Sequence, residues 1–242
     1  MAETWEYFLK ILPALHDGLK VSLKVFFLTI IFAIPLGLPL ALGSISKIPP
    51  IRWICKTYIL IFRGTPLMLQ LFFFYFFLPR IFRDTLNQLS PEMKEFVFKY
   101  ILDALPTAII TFVLNYAAYF AEIYRGGIES IDKGQHEAAQ SLGISKIRTM
   151  FGIIIPQTVK RVLPSVANET ITLVKDTSLV YVIGVGELMK AAKGAVNRDQ
   201  KLLAYAVAAG IYLLLTFLLT LLFKHLEKRF SKSEEQGGRK RG

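Results

Sequence analysis

Gln135-His136-Glu137-Ala138-Ala139-Gln140-Ser141-Leu142-Gly143 is a short polar stretch between segments that read as lipid-embedded. Glu, Ala, Gln and Leu favour helix, and Gly143 is the residue type best able to take the left-handed turn that ends one. The pattern predicts a small amphipathic helix outside the membrane, carrying Ala138, Ala139 and Leu142 on its surface. After an apolar and basic segment comes Ile153-Ile154-Ile155-Pro156. A polar helix projecting from a membrane body needs a partner to dock into, and the rest of the chain bears on what that partner is.

The 242 residues are 53% hydrophobic with 19 Phe, and the apolar residues fall in long runs. Val25–Leu42 and Leu202–Phe223 contain no charged residue. Runs of about 18 or more such residues are the length of a bilayer crossing, so the expected class is an all-α integral membrane protein. The net charge of +11 is spread over loops and the C-terminal tail. No cluster of aromatic and basic residues suggests a base-stacking surface, so anionic lipid, and no nucleic acid, is the expected counterpart. The single Cys55 excludes an intrachain disulfide, and His16, His136 and His225 have no metal-ligand spacing. The acidic start Met1-Ala2-Glu3-Thr4-Trp5-Glu6 lacks the basic region of a cleaved leader.

Five spans are expected. Residues 1–16 read as an N-terminal interfacial segment, with Trp5, Tyr7 and Phe8 at the membrane surface. The first span covers about Leu19–Leu42, kinked by Pro35 and Pro39, and a loop follows at 44–56. The second covers Thr57–Leu78 and contains Arg63-Gly64-Thr65-Pro66. Either Arg63 sits near the membrane surface, or the Gly-Thr-Pro break lines a cavity, because Pro66 frees a carbonyl that lipid cannot satisfy. After a charged loop at 79–99, the third span covers Tyr100–Glu122. Asn115, Tyr119 and Glu122 share one of its faces, for helix–helix hydrogen bonding or for a polar path. A long polar excursion at 125–155 precedes the fourth span, which ends near Gly184 and carries Asn168, Glu169, Thr172, Lys175 and Asp176. Ionisable groups there pair with neighbours or face a substrate path. A loop at 184–201 leads to the last span, Leu202–Phe223, where Ala204/Ala208 and Ala206/Gly210 favour close helix packing. Residues 17–230 thus form the transmembrane domain, and 231–242 a basic disordered tail. The 44–56, 125–161 and tail segments carry 16 Lys and Arg, against 11 on the other side. This bias places the N-terminus outside and the C-terminus, with the Gln135–Gly143 helix, in the cytoplasm.

Enzyme chemistry is not expected. His136-Glu137-Ala138-Ala139-Gln140 has Gln where the zinc-protease pattern requires its second His. No Gly-x-Ser-x-Gly elbow occurs. No Gly-Lys dipeptide occurs, so the phosphate-binding P-loop is absent and the chain itself holds no cofactor. Polar faces on apolar helices broken by Pro and Gly fit a transport path.

Glu137-Ala138-Ala139 with Gly143 resembles the EAA loop of ABC importer permeases. Arg63-Gly64-Thr65-Pro66, Ala121–Ile128, Asn168-Glu169 and Lys175-Asp176-Thr177-Ser178-Leu179 resemble the polar amino-acid permeases of the histidine/glutamine/arginine type. The resemblance implies a type I ABC importer permease fold in a bacterial cytoplasmic membrane, and import of polar amino acids by alternating access. It implies two cytoplasmic ABC ATPase subunits, which bind ATP and Mg, docked on a coupling helix within the loop at about 125–156. It also implies a second permease subunit, identical or related, and a separate extracytoplasmic amino-acid-binding protein. The coupling residues are then Gln135, Glu137, Ala138, Ala139, Ser141, Leu142 and Gly143. Ala138, Ala139 and Leu142 pack on the ATPase, Glu137 pairs with a base or braces the loop, and Gly143 permits the turn. The substrate path takes in Arg63, Gly64, Thr65, Asn115, Tyr119, Glu122, Asn168, Glu169, Thr172, Lys175 and Asp176. Along it Glu169 meets an ammonium group, and backbone amides near Gly64-Thr65 meet a carboxylate. The rival from another class is an ATP-independent secondary transporter or channel.

Overall fold

The computed structural model describes the backbone of residues 2–239 and the side chains of residues 3–229. Every regular element among the described residues is helical. In order, they are α1 (Ala2–Ser44), α2 (Pro49–Gly64), α3 (Leu67–Phe72), α4 (Leu78–Ile81), α5 (Arg83–Asn87), α6 (Pro91–Val97) and α7 (Ala104–Glu129). Then come α8 (Lys133–Ser141), α9 (Lys146–Thr149), α10 (Ile155–Asp176), α11 (Leu188–Asp199) and α12 (Leu203–Arg239). A π-helical turn, Phe73–Phe77, joins α3 to α4, and another, Met150–Ile154, joins α9 to α10. A 3-10 turn, Thr177–Ile183, prolongs α10.

Three single helices have the length and apolar character of a crossing: Glu3–Ser44, Ala104–Glu129 and Leu203–Arg229. A fourth candidate is the bent pair Pro49–Gly64 and Leu67–Ile81, whose halves meet at 105°. α10 has 22 residues. It carries Lys160, Arg161, Glu169, Lys175 and Asp176, and so does not qualify by composition alone.

α1 and α7 form the centre. In lipid, helices gain little from leaving the solvent, so association rests on close van der Waals packing. Ala33, Gly37 and Ala41 recur every fourth residue on α1 and let the backbones approach. A Cβ on Gly37 would lie 2.8 Å from Phe120 Cβ and 3.1 Å from the Ala121 nitrogen. Phe112, Tyr116 and Phe120, one turn apart on α7, fill the core with Val25, Phe26, Leu71, Leu173 and Val180.

Several boundaries depart from the sequence reading. The interfacial segment at 1–16 is not separate: α1 runs unbroken through it, because Tyr7, Ile11 and Leu15 form a stripe packed on α11 and α12. Pro35 and Pro39 stay inside that one helix. The expected loop at 44–56 shrinks to 45–48, since Pro49-Pro50 fits the first turn of a helix, where no N–H is needed. The second span is not straight but breaks at Thr65-Pro66. The 79–99 and 184–201 segments contain α5, α6 and α11. α7 runs seven residues past Glu122, to Glu129. α12 continues to Arg239, past the start of the expected disordered tail at 231, while residues 240–242 lie outside the described residues. The helical run of α10 and its 3-10 turn ends near the expected position, at Gly184, whose φ of 91° stops it. Ala204 and Ala208 pack inward, whereas Ala206 and Gly210 face outward.

The start of α1 packs with α11 at one end of the body, and the end of α1 packs with the 125–155 excursion at the other. At one end Lys10 Nζ lies 3.0 Å from Asp199 Oδ1, joining the start of α1 to the end of α11. Hydrogen bonding from Arg198, with support from Lys10, holds the Asp199 carboxyl well below the usual range. This tie is complete above the ordinary carboxylate range and is lost only in strong acid. At the other end Leu42 and Ile45 pack against Ile128, Ile131 and Ile154.

Glu187 fastens α11 to the body. It is fully buried, and its carboxylate accepts from the amides of Met189 and Lys190 at 2.7 Å, capping the helix. The same group accepts from Tyr212 at 2.9 Å and Ser22 at 3.4 Å, tying α12 and α1 to that cap. Gly18 makes room for this contact: a Cβ there would lie 2.8 Å from the Glu187 carbonyl oxygen.

Candidate functional site

Pro66 removes the N–H that would bond to the Phe62 carbonyl, and two buried amides take its place. Gln70 Nε2 donates to Phe62 O at 2.9 Å, Thr65 O at 3.1 Å and Thr65 Oγ1 at 2.8 Å. Asn115 Nδ2 donates to the same Phe62 oxygen at 2.9 Å and to Gln70 Oε1 at 3.0 Å. The break is therefore an internally satisfied backbone corner clamped to α7. Asn115 is 3% exposed and spends its amide on this clamp, and Thr65 bonds to Gln70 and to Ile61 O. These two expected lining residues hold the break, while Gly64 remains open at the surface. The Asn115→Leu variant is expected to lower stability by about 1–3 kcal/mol, because it strips a donor from a buried carbonyl and leaves Gln70 Oε1 unpaired. Equilibrium unfolding in micelles measures it.

Below the break the polar face of α7 meets α2. The Arg63 guanidinium lies over the Tyr119 ring at 5.4 Å and 3.5 Å from Glu122 Oε1. Arg125 chelates the Glu122 carboxylate and also reaches Glu129. Arg63, Tyr119 and Glu122 are thus brought together, and Arg125 joins them. On α10, the Asp176 carboxylate accepts from Tyr116 at 2.7 Å. Glu169 is half-buried, and among the described residues it makes no hydrogen bond or ion pair. Asn168 is exposed, and its carbonyl accepts from Thr172 at 3.1 Å. Lys175 stands apart, in an apolar groove with Tyr205 and Tyr212.

The expected docking helix is α8, shifted two residues toward the N-terminus. Asp132 Oδ1 caps it by accepting from the Gly134 amide at 2.6 Å. Its chain reverses at Gly143, with φ of 71° and open space around the Cβ position, so the backbone angle and not crowding calls for glycine. Ser145 then caps α9. Ala139 is 2% exposed and faces the chain itself, so it does not share the outer surface with Ala138 and Leu142. The outer apolar surface is instead Leu142 at 77% and Ile147 at 75% exposure, on either side of the turn. Gln135, Glu137 and Ser141 are exposed, and Ser141 donates to Glu137 O at 3.0 Å. Arg161 donates to Ser130 O and Gln157 to Gln135, bracing the excursion against α10.

The sequence reading does not single out Gln70, Arg125 or Ile147 as site residues. A lone Gln in the apolar run Leu67–Phe77 was the available signal for the first; Ile147 carried none, as one apolar residue in a basic segment.

Residues 33–232 match the family described as binding-protein-dependent transport system inner membrane component. The chain belongs to that family. It is 37% identical over 222 residues to the L-cystine transport system permease protein TcyB of Bacillus subtilis (strain 168), covering 91% of this chain and 88% of that protein. It is 36% identical over 224 residues to the arginine transport system permease protein ArtQ of the same organism, covering 92% and 95%. A solved amino acid ABC transporter superposes with a TM-score of 0.78 at 33% identity, covering 92% of this chain and 96% of that one. The family member described here is an integral membrane transport component with the helical permease architecture.

Proposed function

We propose that this chain is the permease subunit of an ATP-driven importer carrying polar amino acids across a bacterial cytoplasmic membrane. It crosses five times, through α1, the bent α2–α3 pair with α4, α7, α10 and α12, with its N-terminus outside. Two such subunits, alike or related, enclose the path. Two cytoplasmic ATPases bind ATP and Mg and dock on α8 and the following turn, and an extracytoplasmic protein delivers the substrate.

The observation that carries this reading is the exposed Leu142–Ile147 pair flanking the Gly143 turn between α8 and α9, beyond the Glu129 end of α7, in a chain of this family. Apolar side chains exposed on an excursion outside the candidate crossings fit a protein groove. Glu137, exposed and without an ion pair among the described residues, is free to meet a base beside that groove. Purification of the tagged chain from its host membrane is expected to bring down a P-loop ATPase, and its absence from the purified complex would count against the reading.

Along the path, Glu169 meets the substrate ammonium, with Asn168 and Thr172 beside it, and backbone amides near Gly64 and Thr65 meet the carboxylate. Glu169 fits this role because its charge has no partner of its own. A hydrogen bond to a charged group contributes about 1.5–3 kcal/mol, so Glu169→Gln is expected to weaken substrate recognition about 10- to 100-fold. Transport KM in vesicles measures it, and unchanged kinetics would remove Glu169 from the path.

A further inference from the structure

We infer that the cavity between α2 and the C-terminal part of α7 binds the phosphate of an anionic phospholipid headgroup. The cavity has a volume of about 800 Å³ and is lined in addition by Ser44 and Ile45, where α1 stops. Its walls carry four cations, Arg52, Lys56, Arg63 and Arg125, against two carboxylates, Glu122 and Glu129. Both carboxylates are engaged by Arg125, and Glu122 also by Arg63. Arg52 and Lys56 have no acidic partner within 4.0 Å among the described residues. Four residues apart on α2, they share a helical face on the cavity wall, where four cations against two carboxylates leave an excess of two positive charges over an open polar space.

The surroundings favour a lipid as the source of the anion. The outer side of α2 beside the two bases is apolar and open, with Trp53 at 69%, Ile54 at 61% and Leu60 at 72% exposure. Leu60 also lines the cavity. Tryptophan next to Lys and Arg at the start of a membrane helix marks the headgroup level. Basic pockets between helices at that level take phosphate headgroups. A phosphodiester seated between Arg52 and Lys56 lets its acyl chains run down the Ile54–Leu60 side, whereas free phosphate has no use for that wall. The inference rests on the membrane placement and not on which solute is carried.

The test uses the full chain purified in neutral detergent with any subunit that accompanies it. Binding of phosphatidylglycerol is followed by native mass spectrometry and by the shift in unfolding midpoint, with phosphatidylcholine and inorganic phosphate in parallel. Phosphatidylglycerol is expected to bind and stabilise, and the other two to do neither. A base near an anionic headgroup is worth about a fivefold change in occupancy, so the double variant Arg52→Gln/Lys56→Gln should bind phosphatidylglycerol roughly thirtyfold more weakly. The charge-conserving Arg52→Lys/Lys56→Arg should retain most of it. Arg80→Gln/Arg83→Gln, which removes equal charge from exposed positions elsewhere, should bind like wild type. Equal binding by the Arg52→Gln/Lys56→Gln variant, or a shift with inorganic phosphate as large as with lipid, would overturn the assignment.

Discussion

Placing aspartate at both Leu142 and Ile147 is expected to uncouple the transporter while leaving its spans folded. Both side chains are about three-quarters exposed, so the chain alone loses little; surface changes of this kind usually fall within about 0.5 kcal/mol. In a docked complex each is covered by the partner, and full burial of a Leu or Ile contributes about 1.5–3 kcal/mol. Losing two such contacts and burying two charges should weaken ATPase binding at least about a hundredfold. Pull-down of the ATPase and substrate-stimulated ATP hydrolysis report the loss, with unfolding in micelles as the control for the fold. Gly143→Val should act on the same readouts through the backbone: the left-handed angle costs a β-branched residue about 1–2 kcal/mol, and the turn carrying Leu142 shifts. Wild-type ATPase binding by the double variant would place the docking surface elsewhere.

The largest loss of stability is expected from Glu187→Ala. That carboxylate caps α11 and holds Tyr212 and Ser22 from inside a fully buried site. Losing an N-terminal cap costs about 0.5–2 kcal/mol and stranding a buried donor about 1–3 kcal/mol, so a net loss of about 2–4 kcal/mol is expected. Glu187→Gln, which keeps an acceptor oxygen, should lose less than half of that. Denaturant unfolding in micelles ranks the three proteins, and an alanine variant as stable as wild type would show that the α1–α11–α12 junction is held by apolar packing alone.

Much of this architecture is legible in the chain because lipid imposes simple rules. Val25–Leu42 and Leu202–Phe223 mark helices by length and lack of charge, and Gly184 ends the α10 run by a backbone angle that glycine takes readily. The Gln135–Gly143 stretch is readable because Gly143 needs no packing context to stop a helix. What the sequence hides is pairing across distance. Asn115 reads equally as a path residue or a helix–helix bond, and only its approach to Phe62 and Gln70 decides for the second. Ala139 and Ala138 are indistinguishable by type, yet the fold turns one inward and leaves the other out. Tyr7, Ile11 and Leu15 read as interfacial because the face they bury belongs to α11 and α12, nearly 200 residues on.

Polar amino acids are expected to move through this chain only when a docked ATPase turns over. The most direct test is uptake of a panel of labelled amino acids into proteoliposomes holding the purified complex, with ATP enclosed and the binding protein supplied outside. Accumulation of a polar amino acid is expected to require both enclosed ATP and the binding protein and to be lost in the Leu142→Asp/Ile147→Asp variant. Uptake driven by an ion gradient without ATP, at the same rate in that variant, would contradict that requirement.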